Sequence, residues 1–130
     1  MKAYLIDPYQ RKVHSLEVAH DLHAWHTLLQ CDCLDVAHVG TLPNGRYVDC
    51  WVDDEGLLRE PVPPMFKLGN YDLAGYGLVL ECNPSDGESH GVSFDTRWFV
   101  GKLGFEEWER RLDKRDYFEQ LSRIPSWETV

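Results

Sequence analysis

The chain has 130 residues, of which 43% are hydrophobic and 12% aromatic, and these fractions exclude a disordered tail or a low-complexity linker. Its net charge is −9, and twelve acidic residues face three basic ones between Asp32 and Asp95, so the whole imbalance lies in this middle stretch. Such a field repels phosphates, which argues against direct nucleic-acid binding and favours a protein partner with a basic surface.

The apolar runs of the sequence predict where the protein is located, and this location predicts the state of its cysteines. No run approaches the roughly 20 apolar residues that a membrane helix needs, so we expect no membrane association. Asp7 interrupts the start before a signal-peptide core could form, which predicts a cytoplasmic protein. We therefore expect the four cysteines to be reduced thiols.

The first predicted elements are two strands and a helix. Residues 2–7 and 12–18 predict strands that pair as a hairpin. From Asp21 onward, apolar residues recur at helical spacing, which predicts a helix that ends near Gln30 and packs on the sheet.

Three further strands are expected in the middle of the chain. Residues 33–39 and 46–52 alternate between apolar and polar side chains, and Asn44-Gly45 between them indicates a tight hairpin turn. An irregular segment is expected to reach Leu73, and residues 77–82 then predict a largely buried fifth strand.

The last third of the chain predicts one short strand and one long helix. The strand is expected to run through Val92, after which Asp95 could cap a short helix or precede an edge strand. From Phe105 to Pro125, apolar residues interleaved with charges predict an amphipathic helix. The order of elements predicts a single α+β domain over residues 1–130, with a mainly antiparallel sheet of five or six strands packed by an N-terminal and a C-terminal helix.

Two blocks carry a family resemblance: residues 52–58 (Val-Asp-Asp-Glu-Gly-Leu-Leu) and 73–80 (Leu-Ala-Gly-Tyr-Gly-Leu-Val-Leu). With the opening at 1–8, they resemble a family of small, functionally uncharacterised bacterial proteins carried by phages, plasmids and integrative elements. The resemblance implies that residues 1–95 form a family-like core and that residues 96–130 form a helical extension of the same domain. It implies an origin in a mobile element within a bacterial host, and it transfers no catalytic residue.

The acidic block is the main candidate site. Three acids in a row before Gly56 place like charges together, which costs stability unless a basic partner relieves the repulsion. We therefore predict a non-enzymatic protein that binds a basic partner through its acidic surface. One version is a nucleic-acid mimic that inhibits a host defence or DNA-binding protein. The glycines at 75 and 77 are expected to serve as scaffolding. The predicted binding residues are Asp49, Asp53, Asp54, Glu55 and Glu60.

The alternative is a small metal- or ligand-binding domain or enzyme that uses histidine and cysteine. Nitrogen and sulfur ligands suit zinc, but histidines at steps of three do not share one helix face and the two nearest cysteines are closer than zinc sites prefer. The metal candidates are His20, His23, Cys31 and Cys33, with His26 beside them. A cysteine nucleophile would pair Cys50 or Cys82 with His38 or His90, although both thiols lie in strands predicted to be buried. No cofactor is expected.

Overall fold

A computed structural model describes residues 1–105, of which 46% are strand and 14% helical. These residues form nine strands, one α-helix and two short 3₁₀ helices. The strands and the α-helix are β1 Lys2–Asp7, β2 Lys12–Glu17, α1 Leu22–Leu29, β3 Leu34–Thr41, β4 Tyr47–Asp53, β5 Met65–Leu68, β6 Tyr71–Ala74, β7 Gly77–Asn83, β8 Glu88–His90 and β9 Leu103–Phe105. The 3₁₀ helices are Gly56–Leu58 and Thr96–Phe99.

The strands form two antiparallel sheets. The main sheet has the order β2-β1-β7-β4-β3, and β8 also pairs with β7. The smaller sheet has the order β6-β5-β9. Strand β7 lies at the centre of the main sheet, and its first four residues are buried, as its apolar run predicts, together with Glu81.

Both predicted hairpins are confirmed. Strands β1 and β2 pair from Lys2 opposite Glu17 to Asp7 opposite Lys12. Strands β3 and β4 pair across the Asn44-Gly45 turn, where Gly45 has a φ of 88° that a glycine adopts without strain. Local turn and alternation signals were therefore sufficient for these two hairpins.

The helix α1 also forms where the sequence predicts it. The Asp21 carboxylate accepts a hydrogen bond from the backbone N–H of His23 at 3.0 Å, and Gln30 ends the helix in the left-handed conformation. Trp25 and Leu29 are buried and belong to a cluster with apolar residues of β1 and β7. The helix thus covers part of one face of the main sheet.

The other face of the main sheet packs against the small sheet. Val48, Cys50 and Val52 of β4 point to this side and form one core with Phe66 and Leu68 of β5. The intervening residues of β4 point toward the side of α1, where Trp51 packs on the second core. Alternation along β4 therefore separates two cores.

The predicted α+β architecture is wrong, because the described residues are mostly β and form two sheets rather than one sheet packed by two helices. The segment expected to be irregular before Leu73 contains β5 and most of β6, and Phe105 ends a strand instead of starting a helix. The short strand expected through Val92 lies earlier, at Glu88–His90. The rest of the predicted C-terminal helix lies outside the described residues. Within residues 1–105, no helix is long and apolar enough to cross a membrane.

Candidate functional site

The acidic turn follows β4, and its first carboxylate is already neutralised inside the chain. Asp53 Oδ1 accepts a hydrogen bond from the backbone N–H of Glu55 at 3.0 Å, and Oδ2 accepts one from Arg59 Nε at 2.8 Å. This hydrogen bond and the charge of Asp53 raise the pKa of Arg59. Asp53 therefore shapes the turn and is not a free charge for a partner.

Asp49 is also paired within the chain. It lies two strand positions from Trp51, is half-buried, and has His38 Nδ1 at 3.4 Å from its Oδ1 across the β3–β4 pair. Burial raises the pKa of Asp49, and the hydrogen bond from His38 partly opposes this effect. Two of the five predicted binding acids, Asp49 and Asp53, thus interact with basic side chains of the same chain.

The three remaining acids lie on one exposed segment with two exposed leucines. Asp54, Glu55 and Glu60 are exposed, and the chain between Glu55 and Glu60 carries Leu57, which is 59% exposed, and Leu58, which is 80% exposed, followed by Arg59, which is paired with Asp53. We call Asp54, Glu55, Leu57, Leu58 and Glu60 the leucine turn. Large apolar residues are usually buried, so two adjacent exposed leucines flanked in sequence by carboxylates are the most unusual surface feature of this segment.

The leucine turn is anchored on the N-terminal side of its leucines. The backbone N–H of Asp54 donates to the carbonyl of Cys33 at 3.0 Å, which ties the turn to the start of β3. Gly56 is buried against Ala74 of β6, and a Cβ at Gly56 would lie 3.2 Å from the Ala74 Cβ and carbonyl oxygen. The backbone that leads into the exposed leucines is therefore held against the two sheets.

A pocket of about 210 Å³ lies beside the turn, where the two resemblance blocks meet. Asp53 and Arg59 form one part of its wall, and Tyr76 packs on Tyr9 with ring centroids 5.1 Å apart. Burial raises the pKa of both phenols. Gly75, which lines the same pocket, has a φ of 79°. The second resemblance block, residues 73–80, thus packs against the acidic turn through Ala74 and also forms part of the pocket wall.

The structure brings the predicted metal ligands together only in part. His20 precedes α1 and packs on Trp25, whereas His23, His26 and Cys31 line one pocket, in which His26 Nδ1 lies 3.2 Å from the carbonyl oxygen of Cys31. Burial raises the pKa of the Cys31 thiol to about 11, whereas Cys33 is exposed. Among residues 1–105, no three His, Cys, Asp or Glu side chains are grouped so that they could hold a metal ion.

The predicted cysteine nucleophiles also lie in surroundings that do not favour catalysis. Cys50 is fully buried, and burial raises the pKa of its thiol and also that of Cys82. His38 interacts with Asp49, and His90 Nε2 lies 3.2 Å from Asp86 Oδ2. The thiolate form that a nucleophile requires is therefore disfavoured at both cysteines.

The sequence prediction missed Leu57, Leu58 and Arg59 as site residues. A signal existed, because two adjacent leucines directly after an acidic turn cannot both face inward from an extended strand. The pairing of Arg59 with Asp53 depends on the fold of the intervening 3₁₀ helix, so sequence alone could not assign it.

No protein-family model, curated protein or solved structure matches this chain. A function for it therefore has to be argued from the geometry of its own residues.

Proposed function

We propose that this chain is a non-enzymatic accessory protein of a phage or mobile element that binds a host or element-encoded protein through the leucine turn. The observation that carries the proposal is the exposure of Leu57 and Leu58 between three acids that form no salt bridge with any residue of 1–105. The resemblance of residues 52–58 and 73–80 to mobile-element proteins supports the accessory role, which would be exercised in the cytoplasm of a bacterial host.

Physical chemistry explains why this surface suits protein binding. Burying a leucine side chain against a partner is favourable by about 1.5–3 kcal/mol before the costs of association are subtracted. A central apolar contact with a polar rim is the usual anatomy of a protein interface. The carboxylates at Asp54, Glu55 and Glu60 would steer a basic partner toward the leucines and select its orientation.

A nucleic-acid mimic is one form of this proposal. In that form, the carboxylates of the leucine turn would occupy a basic channel in place of phosphates. Asp49 and Asp53 would contribute little, because their side chains are only 14% and 13% exposed and each interacts with a basic residue inside the chain. Competition between the chain and DNA for the captured partner would distinguish mimicry from other protein binding.

Site-specific photocrosslinking in bacterial cells tests the proposal at single-residue precision. A photoreactive amino acid replaces Leu58 in one variant and Val100 in a control variant, since Val100 is an apolar residue of similar exposure, 77% against 80%. We expect a discrete covalent adduct from position 58 and none from position 100.

Charge reversal provides the second arm of this experiment. Asp54→Lys together with Glu55→Lys should remove the adduct at position 58, because the basic partner would then be repelled. Equal adducts at positions 58 and 100, or an adduct that survives charge reversal, would refute binding through the leucine turn.

A further inference from the structure

A second pocket, of about 260 Å³, lies at the start of α1, at the other end of this helix from the pocket beside Asp53. Three rings contribute to its wall: His20, Trp25 and Trp51, which we call the aromatic corner. The Trp25 and Trp51 ring centroids are 5.3 Å apart at 51°, and those of His20 and Trp25 are 6.2 Å apart at 65°. The rings are inclined to one another, and because Trp25 is only 3% exposed, Trp51 and the exposed His20 provide most of the ring surface at this pocket.

The rest of the pocket wall carries negative charge. Glu88 Oε2 lies 3.5 Å from His20 Nε2, and the exposed Asp21 borders the same pocket. The Asp21 carboxylate also caps α1 and so offsets the positive end of the helix dipole. No lysine or arginine of the described residues lines the pocket. The electrostatic environment therefore favours a cation over an anion.

The aromatic lining favours one class of cation over metal ions and over unmodified ammonium groups. A metal ion needs several oxygen, nitrogen or sulfur ligands, and no such group exists within residues 1–105. A bare ammonium would lose hydrogen bonds to water that ring faces replace poorly. A fully alkylated ammonium has no N–H group and so no such hydrogen bonds to lose, packs its methyl groups on the rings, and is attracted to their negative faces.

We propose that the aromatic corner binds an alkylated ammonium group, with Glu88 and Asp21 completing its charge recognition. This site is separate from the leucine turn, and its failure or success is independent of the proposed protein partner. The group could belong to a small molecule such as choline or to a methylated lysine of a protein. The chemistry recognised is the same in both cases.

Calorimetric titration of the full chain with choline tests the charge requirement. The control ligand is 3,3-dimethyl-1-butanol, which has the same shape but a carbon atom in place of the charged nitrogen. We expect choline to bind about twofold to thirtyfold more tightly than the neutral ligand, the range given by cation–π interactions of about 0.5–2 kcal/mol. Equal affinities, or no choline binding, would overturn the proposal.

Variants test the residues. Asp21→Asn keeps a side chain that can cap the helix, and Glu88→Gln keeps the size of its side chain, so both should fold and bind choline more weakly. Glu17→Gln is the matched control, because it removes the same charge from an 81% exposed side chain outside this pocket. If all three substitutions weakened choline binding equally, the attraction would come from the overall charge of the chain, and this result would refute a specific site.

The source of the ligand is tested with two peptides that differ only in trimethylation of one lysine. Tighter binding of the trimethylated peptide than of choline would identify a protein ligand, and the reverse order a small molecule. Measurable binding that is equal for the methylated and unmethylated peptides would overturn the proposal. Leu58→Ser should leave choline affinity unchanged, which separates this test from that of the leucine turn.

Discussion

Glu81 is fully buried, and its carboxylate accepts hydrogen bonds from the backbone N–H and the hydroxyl of Ser93 at 2.5 and 2.6 Å. Glu81→Ala would leave both donors without an acceptor, so we expect it to lower the free energy of unfolding by about 2–4 kcal/mol. Glu81→Gln keeps an acceptor and should cost less. Urea denaturation measures both values, and a Glu81→Ala cost as small as that of Glu17→Ala on the surface would contradict this role.

Asp49 should make stability depend on pH in the opposite direction from an ordinary salt-bridged carboxylate. Because burial raises its pKa in the folded state, its contribution to stability is present at low pH and is lost as the pH rises through the folded value. Asp49→Asn should therefore raise the melting temperature at pH 7 and have little effect near about pH 3, where the carboxyl is protonated in both states. Thermal unfolding at both pH values checks this, and a loss of stability confined to pH 7 would disagree.

At the level of elements, Gly77 allows the small sheet to pack on β7. A Cβ at this position would lie 2.7 Å from both Cys50 Sγ and Phe66 Cζ. We expect Gly77→Ala to reduce the free energy of unfolding by about 1–3 kcal/mol through overpacking. Gly104→Ala is the control, since no atom lies within 4 Å of its added Cβ. Chemical denaturation of both variants decides the point, and equal values would argue against tight packing at Gly77.

The 3₁₀ helix Gly56–Leu58 should contribute to binding far more than to folding. Leu58→Ser removes an exposed side chain, so its effect on the free energy of unfolding should stay within about 0.5 kcal/mol, as should that of Val100→Ser. Only Leu58→Ser should reduce partner capture. A large loss of stability in Leu58→Ser would show that the leucine serves the fold.

Elements with local signals could be predicted from sequence, and elements defined by distant pairing could not. The Asn44-Gly45 turn and the Asp21 cap act within a few residues, so both hairpins and α1 were found. Strand β5 has four residues, follows a proline-rich stretch and pairs with β9, which lies more than 30 residues later. The candidate site shows the same dependence on the folded chain. The sequence indicates the acidic turn, but it does not indicate which carboxylate Arg59 neutralises.

For the described part of the molecule, residues 1–105, exposed acidic residues lie at both ends of the main sheet. The leucine turn lies at the end where β4 finishes, and Asp86 and Glu88 lie at the opposite end, near the turn between β7 and β8. The acidic middle of the sequence is therefore not one continuous surface. Acids at opposite ends of a sheet fit the two separate sites proposed here, the leucine turn and the aromatic corner, better than they fit a single mimic of nucleic acid.

Binding of a basic protein partner to the leucine turn can be measured by capture of the protein that cross-links at position 58. Purified wild-type chain is compared with a variant carrying Asp54→Lys, Glu55→Lys and Glu60→Lys, and with a control carrying Glu17→Lys and Glu88→Lys at the other end of the sheet. Capture by the wild type and by the control should fall as salt rises from about 0.05 to 0.5 M, because screening weakens charge attraction. Capture by the triple variant should be absent at every salt concentration. Retention that is independent of salt and survives the triple reversal would contradict the account.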